Sequence, residues 1–241
     1  MTYCVGLLLD EGMVLLSDTR TNAGLDNIAT YRKMFTFENG GERVIVIMTA
    51  GSLSVTQTTI AQLTDAIEDP DATHETSILL APSMLKVAEM VGERLAAVRR
   101  SVDEKLAAMD QHASASMIVA GQRRNGEMRM FLIYPEGNFI EATDDTPFLQ
   151  IGEHKYGKPI LDRVVRPSTS LEDGQKAVLL SMDSTLRSNL SVGMPLDLAL
   201  VRRDECRVGQ RRRIEAGDDD FRRMSEAWSE ALRDSFARVT L

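Results

Sequence analysis

An α+β fold, with helices layered over two antiparallel sheets, is what this sequence predicts, and three observations predict it. Apolar strand-like runs come in groups separated by helical patterns, in the order strands, two helices, strands, two helices, strands. That order is not the strict alternation of a doubly wound parallel sheet. Neither an internal repeat nor a linker divides the 241 residues, so a single domain over residues 1–241 is expected, long enough to bury a real core.

The elements follow in order. Thr2 to Leu9 and Met13 to Asp18 flank Asp10-Glu11-Gly12, which reads as a three-residue hairpin loop with glycine at the position that needs a positive φ. A loop of that length sets Leu9 opposite Met13, Cys4 opposite Asp18 and Thr2 opposite Arg20, with Thr2 and Asp18 as diagonal neighbours on one face. Lys33 to Phe37 and Arg43 to Ala50 read as strands about the turn Asn39-Gly40-Gly41, and the run Val44-Ile45-Val46-Ile47-Met48 marks a buried one. A helix capped by Ser52 or Ser54 is expected to run to about Glu68, and a second from about Ser83 to Met109. Strands follow over Ser114 to Ala120, Met128 to Tyr134, Asn138 to Ala142 and Phe148 to Gly152. Helical patterns cover Tyr156 to Val164 and Leu171 to Leu190, then strands over Pro195 to Arg203 and Arg207 to Ile214. The last element is an amphipathic helix over about 219–237, with Phe221, Met224, Trp228, Leu232 and Phe236 on one stripe.

Composition narrows the function. A net charge of −8 argues against nonspecific binding to nucleic acid or an anionic membrane. No window approaches eighteen apolar residues, and the start has no basic segment leading into an apolar one, so neither a membrane span nor a signal peptide is expected. Cys4 and Cys206 form no spaced set, which suggests a reducing cytoplasm. The histidines lack metal-ligand spacing, and phosphate loops and dinucleotide fingerprints are absent; no metal or cofactor is implied. The arginine clusters and the acidic run Asp218 to Asp220 read as solvated faces or interface pairs.

The chemistry gathers in the first strands. Threonine at the second position permits removal of Met1, which leaves Thr2 with a hydroxyl and a free α-amine of ordinary pKa about 7.7–8.0. A hydroxyl beside such an amine is a route to an activated oxygen nucleophile. Lys33 could neutralise Asp18 and, close to a threonine oxygen, favour the alkoxide. Gly51, at a strand-to-helix corner, could offer a backbone N–H to a developing oxyanion. Each has a plainer reading: Asp18 as a turn residue, Lys33 as a solvated strand end, Gly51 as a turn glycine. Cys4 reads as a small core residue.

Taken together, Thr2, Ser17-Asp18-Thr19-Arg20, Tyr31-Arg32-Lys33-Met34 and Thr49-Ala50-Gly51 resemble the proteasome β-type peptidases, the N-terminal-nucleophile threonine hydrolases that include HslV. The opening Met-Thr-Tyr-Cys-Val-Gly-Leu, with Ser17 through Gly24, resembles the bacterial ancestral β-subunit group known as Anbu. The resemblance implies a four-layer αββα fold and a cytoplasmic threonine endopeptidase acting on peptides or unfolded protein. Thr2 would attack the peptide carbonyl and form an acyl-enzyme ester, its proton passing either to its own free amine or to Lys33; Asp18 would hold Lys33, and the Gly51 N–H would bind the oxyanion. It implies a homo-oligomer, a ring or ring-like helical stack, and leaves an ATP-dependent unfoldase partner open. Two departures stand out. Many members carry an acid three residues before a supporting serine late in a helix, whereas here Ser188 stands in the acid's place and Ser191 in the serine's. A Gly-Ser-Gly turn of the family is Gly152-Glu153-His154 in this chain, which suggests a role for Glu153. The alternative is a catalytically weak or inactive scaffold or peptide binder with the same fold.

Overall fold

Two five-stranded sheets lie face to face, with helices on both outer sides, in a computed structural model that describes residues 1–22 and 28–240. Five strands make the first sheet: β1 (Tyr3–Leu9), β2 (Gly12–Asp18), β10 (Phe148–Gly152), β11 (Leu196–Arg202) and β12 (Gln210–Ile214), ordered β10-β1-β2-β11-β12. The second holds β5 (Met34–Asn39), β6 (Arg43–Gly51), β7 (Ala115–Arg123), β8 (Arg129–Ile133) and β9 (Phe139–Glu141), in chain order. A short pair, β3 (Arg20–Asn22) with β4 (Ile28–Thr30), stands apart. Ala23 and Gly24 of the opening motif lie outside the described residues.

Alternation along the strands builds three cores. On β2, Val14 and Leu16 face outward to helices α3 (Lys158–Val164) and α4 (Leu171–Ser188), where Leu161, Val178 and Met182 cover them. Met13 and Leu15 face inward, against Val46, Met48 and Met130 of the second sheet. The far side of that sheet, with Ile45, Ile47 and Val119, is covered by Val55 and Leu63 of α1 (Leu53–Glu68) and Val87, Val91 and Leu95 of α2 (Met84–Leu106). Several of the 13 methionines fill the layer between the sheets, where a flexible thioether suits two facing pleats. A last helix, α5 (Asp219–Arg238), packs on α4. None of the helices, among the described residues, is long and apolar enough to cross a membrane.

Local chemistry sets the helix starts. Ser83 Oγ accepts from the Lys86 N–H at 3.1 Å and Ser170 Oγ from the Asp173 N–H at 3.1 Å, each satisfying an otherwise orphaned donor. Asp218 caps α5 by accepting from the Phe221 N–H at 2.9 Å and also pairs with Arg212 at 2.7 Å. So part of the acidic run is a cap. Ser52 precedes α1 but makes no capping bond through its side chain.

One sequence expectation fails in a way that moves the site. The first hairpin turns on Asp10-Glu11 alone; Leu9 faces Gly12 and Cys4 faces Ser17, one residue off the register read from a three-residue loop. Gly12 belongs to the strand because β11 passes close beside it, with the Val201 carbonyl oxygen 2.1 Å from where a Cβ would stand. The glycine serves close approach here, not the loop. The slip brings Tyr3, rather than Cys4, level with Asp18.

Candidate active site

The chain start, the end of β2 and the start of β5 meet at one end of the sandwich. Asp18, fully buried, accepts on Oδ1 from the Tyr3 backbone N–H at 3.1 Å and on Oδ2 from the Gly193 N–H at 3.3 Å. Its Oδ1 also accepts from Lys33 Nζ at 2.8 Å. Lys33, 4 % exposed, donates further to the Arg20 carbonyl at 2.5 Å and the Met1 carbonyl at 3.4 Å. Thus three acceptors from three segments surround one ammonium. Burial pushes the Asp18 carboxyl up from its ordinary value, while the Lys33 charge and the two backbone N–H groups oppose that shift.

Lys33 is held from its own backbone as well. It precedes β5, and its carbonyl accepts from the Thr49 N–H at 2.9 Å, which ties it to β6. Two residues on, β6 ends at Gly51, whose φ is +106°, and the following Ser52 N–H goes to the Ser114 carbonyl at 2.8 Å. A cavity of about 300 Å³ opens there, lined by Thr2, Thr21, Lys33, Thr49, Gly51 and Thr56 among others. Thr2, Lys33 and Gly51 therefore border one space, with Asp18 behind the lysine.

Thr2 is 8 % exposed, and its backbone is fixed on both sides. Its carbonyl accepts from the Glu153 N–H at 2.7 Å, while the next N–H, of Tyr3, is the one given to Asp18. That approach needs Gly152, whose φ is +81° and whose Cβ would sit 1.9 Å from the Thr2 carbonyl oxygen. Glu153 thus reaches Thr2 through its backbone. Tyr3 turns the other way, its phenol against Ser181 Oγ at 2.6 Å and accepting from Gln150 at 2.6 Å, and burial pushes its pKa up to about 12.

The two serines behave differently from the other sequence-derived candidates. Ser188 is exposed at the end of α4, and Ser191 is half-buried, its N–H on the Asn189 side chain at 2.9 Å. No hydrogen bond joins either to Thr2, Asp18 or Lys33 among the described residues. The loop they border reaches the site through other atoms. The Gly193 N–H binds Asp18, the Thr19 hydroxyl donates to the Pro195 carbonyl at 2.6 Å, and Arg20 donates to the Leu190 carbonyl at 3.0 Å. These contacts, and the Arg20 carbonyl on Lys33, were missed from the sequence because backbone atoms make most of them and carry no residue signal. Cys4 is buried between the sheets, its thiol 3.7 Å from the Thr49 carbonyl and pushed up by burial.

Comparison with known proteins agrees with this architecture. A family model described as proteasome subunit matches residues 2–201. No curated protein sequence gives a significant match. Among solved structures, the chain is similar to a mutant form of Anbu from Hyphomicrobium sp., 47 % identical with a TM-score of 0.93, over 100 % of this chain and 99 % of that one. It is similar to Anbu from Yersinia bercovieri, at 40 % identity and a TM-score of 0.91 over 99 % and 98 % of the two chains. A structure described as the helical assembly of the Anbu complex from Pseudomonas aeruginosa is 44 % identical, with a TM-score of 0.91 over 99 % and 97 %.

Proposed function

The chain belongs to the proteasome subunit family, within it to the Anbu group, and has that family's αββα fold; from this premise we propose that it is a cytoplasmic threonine peptidase. The observation that carries the reading is the buried Lys33 ammonium, fixed by Asp18 at 2.8 Å on the wall of a cavity that Thr2 and Gly51 share. Removal of Met1 frees the Thr2 amine. It also releases the Lys33 donor now given to the Met1 carbonyl, so that it can turn to the Thr2 hydroxyl.

In the first step Thr2 Oγ attacks the scissile carbonyl and loses its proton to the free Thr2 amine, whose ordinary pKa of about 7.7–8.0 suits a base near neutrality. Lys33 supplies fixed positive charge, and the Gly51 N–H receives the oxyanion; one such donor is typically worth about 2.7–4 kcal/mol. Collapse expels the amine product with the proton and leaves an ester on Thr2, which water hydrolyses. The substrate is a peptide or an unfolded segment, and the chain acts within an assembly of its own copies, as the Pseudomonas aeruginosa relative does.

A second reading, a scaffold or peptide binder of low activity, is favoured by Ser188, which is exposed and supplies no carboxylate to orient the amine. One experiment separates the two. Intact mass of the purified protein is expected to lack Met1, and a β-lactone or epoxyketone is expected to add mass in the wild type but not in Thr2→Ala. Retained Met1, or an adduct that persists in Thr2→Ala, overturns the peptidase reading.

A further inference from the structure

The active-site cavity is shaped by more than the reacting groups. A carbonyl attacked by Thr2, with its oxygen on the Gly51 N–H, turns the side chain of its own residue into this space, since one bond joins that carbon to its Cα. There it meets Thr21, Thr49, Ala50, Leu53 and Thr56. At about 300 Å³ the cavity has room for a large side chain, so chemistry rather than volume sets the choice.

Thr49 and Thr56, each 4 % exposed, come from the end of β6 and the first turn of α1. Thr49 continues the row of Ile45 and Ile47 on the helix side of its sheet, where a valine would fill the same shape without a hydroxyl. Thr56 stands with Val55, Ile60 and Leu63 among the buried residues of α1. Both hydroxyl protons are spent. Thr49 donates to the Lys33 carbonyl at 3.5 Å and Thr56 to the Leu53 carbonyl at 3.1 Å. What remains on each is an oxygen able to accept. Among the described residues, Lys33 is the only charged side chain on the cavity wall, and it is held by Asp18, the Arg20 carbonyl and the chain start.

We propose that this cavity selects, on the acyl side of the scissile bond, a residue with a carboxamide side chain, glutamine before asparagine. The inference rests on the peptidase reading above. The glutamine amide N–H groups donate to the Thr49 and Thr56 oxygens, its amide oxygen accepts from the half-buried Thr21 hydroxyl, and its methylenes lie on Ala50 and Leu53. A leucine leaves both buried oxygens without a partner. A lysine or arginine brings a second cation beside Lys33 with no carboxylate on the wall to meet it. A glutamate faces oxygens whose protons are already given and competes with Asp18 for Lys33.

Peptide epoxyketones that differ only in the residue next to the warhead (glutamine, leucine, arginine or glutamate) test this on the Met1-free protein, with adduct formation timed by intact mass. The glutamine reagent is expected to react at least about tenfold faster than each of the others. Thr49→Val/Thr56→Val, which keeps the shape of both side chains, is expected to bring the glutamine rate down to the leucine rate or below it. A wild type that reacts with none of the four, nor with a β-lactone, overturns the peptidase reading and this inference with it. A wild type that reacts with the lactone but not the glutamine reagent overturns the carboxamide preference alone. So does one that takes leucine, arginine or glutamate as fast as glutamine, and so does a folded double variant that still prefers glutamine.

Discussion

Among the described residues the Lys33 ammonium donates to three oxygens, one carboxylate atom of Asp18 and the carbonyls of Arg20 and Met1. Asp18→Asn leaves that ammonium buried without its countercharge and is expected to cost about 3–5 kcal/mol in urea unfolding. Lys33→Ala is expected to abolish adduct formation at Thr2 while circular dichroism shows the fold retained. The pH dependence follows from Asp18. Its pKa is raised, so as pH falls the carboxylate is neutralised, and Lys33 loses its partner, above the ordinary carboxylate range. Below the first fall in the Thr2 labelling rate, set by the free amine, a second fall should lie there; a second fall at an unshifted carboxylate value would refute the assignment. Tyr3 acts at the other extreme. Its pKa rises from 10.0 to about 12, so the folded state holds the proton more tightly, and this group's contribution to stability is complete below pH 10 and is lost as pH climbs towards 12. Tyr3→Phe orphans the buried Ser181 hydroxyl from its 2.6 Å partner and is expected to cost about 1–3 kcal/mol by denaturant titration. Thr2, Asp18, Lys33 and Gly51 could be picked out in the sequence, because side-chain type and position carry that signal. Gly193 and the Arg20 carbonyl could not, because their part is played by the main chain.

Among the elements, the strands β6 and β7 and the helices α1, α2 and α4 lie close to where apolar periodicity sets them, since each buries a full stripe or pleat. The first hairpin does not. Turn chemistry points to a glycine loop, but the neighbouring β11 decides the register by demanding a residue without Cβ at Gly12. A contact across 189 residues of sequence, Gly12 to Val201, leaves no mark in a local window. The short β3–β4 pair also escapes a periodicity argument, with three residues in each strand. Gly152 is the element-scale counterpart of the site. Gly152→Ala drives a Cβ into the Thr2 carbonyl and should displace the chain start, so Thr2 labelling is expected to fall at least as far as in Lys33→Ala. Wild-type labelling in that variant would show that the β10 end does not position Thr2. Ser225→Ala removes the hydrogen bonds to Asp183 and Arg187 that join α5 to α4, and hydrogen exchange is expected to quicken through α5 while α4 keeps its protection.

At the scale of the molecule, two sheets and two helical layers make three parallel cores, and the middle one backs directly onto the site. Leu15, wholly buried there, is expected to cost about 2–5 kcal/mol on replacement by alanine, read from the urea midpoint. The layered order was legible because only two sheets with helices outside bury every apolar run. How the layers dock was not, since inter-sheet neighbours such as Gly6 and Met130 have no local period. The peptide unit joining Thr2 to Tyr3 has one further consequence. Its oxygen is gripped by Glu153, just past β10, and its hydrogen by Asp18 at the end of β2, so the first side chain takes its aim from the ends of two strands of the first sheet. Heat cannot blur that aim and spare the sheet: the inactivation curve should overlay the melting curve, with no warm interval in which the protein is intact but idle.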